Sequence, residues 1–175
     1  SLKFGNAFYF YRMNKVASTL AFIVLLFFIS ACNSTRTISN QSKQLLPTPY
    51  EQKENYSSSY AEVIEYYEKL SRYTSRIQVN TAGLTDSGKA LHEIVVSTGN
   101  TFDPSSAREA GKTILFINNG IHPGEPCGID ASMQLARDLA FSKNSLLKNT
   151  VLVIIPVYNI GGALNRGSYS RANQN

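Results

Sequence analysis

The sequence predicts an α/β fold: a partial sheet, parallel or mixed, with helices flanking it. Three observations carry this. Residues 113–117 and 151–155 are short, uninterrupted apolar runs, the mark of strands buried on both faces. Between them Ile129, Met133, Leu135, Ala136 and Leu139 follow helical spacing. A strand, a crossover helix and a second strand form a βαβ unit, whose two strands lie parallel.

Ahead of that unit, Tyr60, Val63, Ile64, Tyr67 and Leu70 occupy one helix face at i, i+3, i+4, i+7 spacing. Ile77-Gln78-Val79-Asn80 follows as a strand, then the turn signal Asp86-Ser87-Gly88-Lys89, then a second strand from Ala90 to Ser97. His92 lies in that strand, where a lone histidine is expected as a packed or surface residue rather than a ligand. Residues 100–111, with Asp103-Pro104, are expected to form a loop.

The folded domain is expected to span 56–175. Residues 32–55 are polar, carry Pro47 and Pro49 and show no hydrophobic period, so they are expected to form a tether. Residues 13–31 have the layout of a signal peptide: Lys15 near the start, an uncharged apolar middle, and small residues at the end. Ile29-Ser30-Ala31-Cys32 is similar to a bacterial lipoprotein box, which implies lipidation at Cys32 and an exported, membrane-anchored protein, periplasmic or on the cell surface. A plain signal peptide or a transmembrane anchor is the alternative. Residues 1–12 are expected to be upstream translation. If Cys32 is lipidated, Cys127 is the remaining thiol, expected as a small buried hydrophobe.

Composition excludes other classes. Ten Tyr and nine Phe among 175 residues supply too much apolar surface for a disordered chain, and two Cys cannot staple a mini-protein. The net charge of +5 suggests nucleic acid, but residues 1–31 hold Lys3, Arg12 and Lys15 and no acid. Subtracting them leaves 14 basic against 12 acidic residues, or +2, so no nucleic-acid partner is expected.

Chemistry gathers where the first buried run ends, in Asn118-Asn119-Gly120-Ile121-His122-Pro123-Gly124-Glu125-Pro126. Ligands of α/β sheets collect beyond the carboxyl ends of the strands. A turn can bring an imidazole and a carboxylate three residues apart onto one ion, and zinc accepts both donors. Equally, Glu125 could serve the positive end of the following helix.

Four segments together resemble the zinc carboxypeptidase family of metallopeptidases. They are the helix Tyr60-Ala61-Glu62-Val63-Ile64-Glu65-Tyr66-Tyr67; the run Gly83-Leu84-Thr85-Asp86-Ser87-Gly88-Lys89-Ala90-Leu91 with its strand; Gly120-Ile121-His122-Pro123-Gly124-Glu125; and Ile155-Pro156-Val157-Tyr158-Asn159-Ile160-Gly161-Gly162-Ala163. The resemblance runs over residues 60–175 and implies a zinc-carboxypeptidase-like fold, truncated at its C-terminus. It implies one Zn²⁺ held by His122 and Glu125, a peptide substrate, and an arginine that stabilises the oxyanion. Arg166 and Arg171 stand where that arginine belongs, and each could also be a solvated loop charge.

The family's third ligand, a later histidine, and its general-base glutamate have no counterpart here, since the chain's other histidine, His92, precedes the motif. Gly124 also replaces the arginine that often precedes the ligand glutamate. The 175-residue chain is therefore expected to be an incomplete and inactive form of the enzyme. Two alternatives are a zinc amidohydrolase of the aspartoacylase-like group, which shares the Gly-x-His-x-x-Glu pattern, and a surface lipoprotein that binds peptides without cutting them.

Overall fold

A computed structural model describes residues 46–53, 56–142 and 146–165. Its sheet has four strands: β1 (Ile77–Leu84), β2 (Ala90–Val96), β3 (Thr113–Asn118) and β4 (Thr150–Ile155), in the order β1-β2-β4-β3. The pairs β1–β2 and β2–β4 are antiparallel, while β3 and β4 run parallel, as the βαβ pattern predicts. The sheet is thus mixed. Its register fixes where loops meet. Because β2 opposes β4, with Ile94 opposite Ile154, the β1–β2 turn rises at the same end as the loops leaving β3 and β4.

Helix α1 (Pro49–Gln52) precedes α2 (Tyr60–Tyr73), and α3 (Pro104–Glu109) links β2 to β3. Helix α4 (Cys127–Phe141), the short α5 (Leu146–Asn149) and α6 (Ile160–Leu164) complete the described elements. Val63, Tyr66, Tyr67 and Leu70 of α2 join Ile129, Met133 and Ala136 of α4 in one core with Ile94, Val96, Leu152 and Ile154. The intervening strand residues Val95 and Val151 face the other way and pack with Ala107 of α3. Alternation along β2 and β4 therefore assigns each strand residue to one layer. Fully burying side chains of this size is worth about 1.5–3 kcal/mol each.

Three expectations change. Residues 100–111 contain α3, not an unbroken loop. Asp103 Oδ1 accepts from the backbone N–H groups of Ser105 and Ser106 at 3.0 Å each, and Pro104 fills the first helical position, where its missing N–H costs nothing. Second, β3 is not buried on both faces: Ile114, Leu115 and Phe116 are 43%, 47% and 58% exposed. It is the edge strand of the described sheet, and α2 and α4 pack over β1 and β2. Its uninterrupted apolar run records β-propensity, while sheet order decides what covers it.

Third, residues 46–52 are not part of a loose tether. Leu46 is fully buried in the core, and Tyr66 Oη donates to its carbonyl at 3.3 Å. Arg137 of α4, also fully buried, donates to the same carbonyl at 3.2 Å and to both carboxylate oxygens of Glu51. This ties the strap ahead of α2 to α4. Among the described residues no helix is long and apolar enough to cross a membrane.

Helix α2 begins at a capping box. Ser59 Oγ accepts from Glu62 N at 3.3 Å, and Glu62 Oε2 accepts from Ser59 N at 2.9 Å and from Tyr56 Oη at 2.6 Å. The Tyr56 hydroxyl, then the Ser59 backbone, hold the Glu62 carboxyl at about 2, below its ordinary 4.5. A depressed carboxyl pKa contributes stability that is present above the unfolded value and lost as pH falls through the folded one. Thermal melts from pH 5 to pH 2 should therefore show a decline that Glu62→Gln flattens, with the two proteins converging near pH 2.

Candidate metal centre

The loop after β3 is held by its own backbone hydrogen bonds. Asn119 N–H donates to Ile155 O at 3.0 Å, which extends the β3–β4 ladder by one rung. The loop after β4 then donates back: Tyr158 N–H to Asn119 O at 2.8 Å and Asn159 N–H to Gly120 O at 3.0 Å. Gly120 turns the chain with φ +64°, and a Cβ there would stand 3.1 Å from Val157 Cα. Gly120→Ala should thus lose at least the roughly 1–2 kcal/mol of a left-handed non-glycine residue, with Val157 contact adding to it. Denaturant unfolding checks this. A midpoint equal to that of the parent protein would contradict it.

Beneath the loop, the buried Asn119 side chain donates to Ser132 Oγ of α4 at 2.8 Å. A Cβ on Gly128 would lie 2.9 Å from Asn119 Oδ1, so the glycine lets the helix approach this closely. One buried amide therefore locks the strand end to the helix that follows the motif. Sequence reasoning missed Asn119 and Ser132, although Asn118-Asn119-Gly120 at a strand end signals a constrained turn.

On this scaffold sit His122 and Glu125. The backbone N–H of Glu125 donates to His122 O at 2.9 Å, closing a turn that points both side chains the same way. Nδ1 of His122 lies 3.5 Å from Oε2 of Glu125, with the side chains 29% and 52% exposed. Bonds of about 2.0–2.2 Å put two ligand atoms on one tetrahedral zinc about 3.3–3.6 Å apart. The spacing and the donor types fit that ion. They supply two donors of a set that needs more. Among the described residues no group of three His, Cys, Asp or Glu could hold a metal.

The other candidates separate from this pair. His92 packs on β2, where its Nδ1 meets Tyr60 Oη at 3.1 Å while that hydroxyl donates to Ala90 O at 2.7 Å. This is a structural contact, as expected. Cys127 is not buried as expected: it is exposed, because it opens α4 on the outward side, two positions before Ile129 turns into the core. Arg166, Arg171 and Cys32 lie outside the described residues.

The family model described as zinc carboxypeptidase matches residues 63–174. Among solved structures, the chain is similar to carboxypeptidase A from Helicoverpa armigera, at 20% identity and TM-score 0.55, over 72% of this chain and 32% of that one. It is also similar to bovine thrombin-activatable fibrinolysis inhibitor, solved with a tick carboxypeptidase inhibitor, at 20% identity and TM-score 0.50, over 67% and 35%. A metallo-carboxypeptidase from Burkholderia cenocepacia matches at 20% identity and TM-score 0.50, over 61% and 28%. At such identities the likeness is one of fold, and the chain spans about a third of the length of these structures. No curated protein sequence matches.

Proposed function

Because the chain belongs to the zinc carboxypeptidase family, we propose that it comes from a zinc-dependent metallopeptidase in which His122 and Glu125 are two of the metal ligands. The observation that carries this is the 3.5 Å approach of an imidazole nitrogen and a carboxylate oxygen at the carboxyl end of a parallel strand. A zinc ion held by His122 and Glu125 with further donors would supply Lewis-acid chemistry, activation of water near neutral pH and polarisation of the scissile carbonyl.

The chain's own residues prepare for that chemistry. Asn119, Gly120 and the loop after β4 fix the backbone that leads into the ligand turn, so its main chain is already in place when a ligand arrives. The exposed faces of His122 and Glu125 leave room for further donors and for a peptide. Arg166 or Arg171 would place positive charge where the oxyanion develops, a large contribution in a dry site. Lipidation of Cys32 would hold the enzyme at a membrane, on the exported side, with the peptide arriving from solution.

Among the described residues no third donor joins the pair, two donors do not complete a catalytic zinc site, and His92 is engaged by Tyr60. The 175-residue chain alone is therefore proposed to be inactive. Incubating the purified chain with zinc and a panel of free and C-terminally amidated peptides should release no amino acid above the buffer control. Peptide hydrolysis that a chelator abolishes would overturn the proposed inactivity.

A further inference from the structure

The loop that carries His122 and Glu125 runs from the end of β3 at Asn118 to the first residue of α4 at Cys127. Bonds from the loop after β4 reach its incoming arm, at Asn119, Gly120 and Ile121. Its outgoing arm enters α4 through Pro126, whose ring has no group to cap a helix. The Asn119 side chain joins the two arms. Its Nδ2 donates to Ser132 Oγ at 2.8 Å, and a Cβ on Gly128 would lie 2.9 Å from its Oδ1. His122 stands three residues after Asn119, and Glu125 three before Gly128. The ligand pair therefore sits in the middle of a loop whose ends one buried amide draws together.

Stability does not account for an amide at this place. A buried bond between neutral groups is nearly matched by an apolar pair of the same shape, because both partners leave water to make it. What the apolar pair lacks is direction, since a hydrogen bond holds only near its proper distance and angle. Asn119 is fixed in this way at three points: its N–H donates to Ile155 O at 3.0 Å, its O accepts from Tyr158 N–H at 2.8 Å, and its amide reaches α4. Closing the loop costs entropy, and here that cost falls in folding rather than in metal binding.

We propose that Asn119 is a positioning residue of the metal site: by closing the loop against Ser132 and Gly128 it holds His122 and Glu125 at their 3.5 Å approach, and so sets zinc affinity without being a ligand. The zinc consequence rests on the metallopeptidase reading, whereas loop closure is measurable without metal. The test compares the parent chain with Asn119→Val/Ser132→Ala, an apolar pair in the same place, and with Gly128→Ala. The second variant keeps both hydrogen-bonding groups and drives the amide aside with one methyl. Calorimetric zinc titrations should show both variants binding about tenfold more weakly. Their denaturant midpoints should stay near that of the parent protein. In the metal-free proteins, amide exchange at Tyr158 and Asn159, which donate into the incoming arm, should quicken about tenfold, while the amides of β2 keep the parent rate. Either readout at the parent value in a folded variant overturns the proposal and spares the metal reading. Zinc affinity that falls only in step with the unfolding midpoint also overturns it, as the mark of a purely structural pair. A parent chain that binds no zinc removes the metal reading, and the exchange rates then decide alone whether Asn119 closes the loop.

Discussion

Replacing Arg137 with alanine is expected to destabilise the fold by about 3–5 kcal/mol, the cost of removing one partner from a buried ion pair. Its guanidinium, fully buried, donates to both Glu51 oxygens, to Leu46 O at 3.2 Å and to Asp138 Oδ1 at 3.0 Å. Without it, Glu51 keeps a largely buried carboxylate and the Leu46 carbonyl loses a donor. The Tm should fall by roughly 10 °C or more for a domain of this size. Glu51→Gln should cost less, because the strap keeps Leu46 in the core. In a double-mutant cycle the two changes should couple by more than about 1 kcal/mol. An additive cycle would show that the strap is not held by this pair.

His122→Ala is expected to remove measurable zinc binding. Losing a hydrogen bond that merely orients a ligand costs about 10–100-fold in affinity, and losing a ligand costs more. With two donors on the described residues, either His122→Ala or Glu125→Gln leaves one. Calorimetric zinc titrations at one pH should show both variants at background, while His92→Ala, on β2 with Tyr60, matches the parent protein. Equal zinc affinity in all four proteins would place the metal elsewhere.

Local patterns made much of this fold legible. The period of α2, the Asp86-Ser87-Gly88-Lys89 turn and the strand-helix-strand rhythm depend on neighbours in sequence, and each is present in the structure. The His122–Glu125 approach was legible for the same reason, since three residues of turn suffice. What was missed depends on distant partners or on sheet order. Arg137 lies on the buried face of α4, four residues after Met133 and eight after Ile129, yet its partner Glu51 is 86 residues away. An arginine on an apolar helix stripe was the available signal, and the partner could not be named from it. The exposure of Ile114, Leu115 and Phe116 goes with β3 lying outermost in the described sheet, which no single strand's composition encodes. Asp103-Pro104 is loop punctuation by local pattern, yet the same pair also starts helices, and here it starts α3.

The most direct test of the central claim, that the His122–Glu125 turn is part of a zinc site, is X-ray absorption at the zinc edge on the metal-loaded chain. The site described here predicts a first shell of nitrogen and oxygen at about 2.0–2.2 Å with the outer-shell scattering of an imidazole, and loss of that imidazole signature in His122→Ala. A zinc shell without imidazole, or one that His122→Ala leaves unchanged, would contradict it.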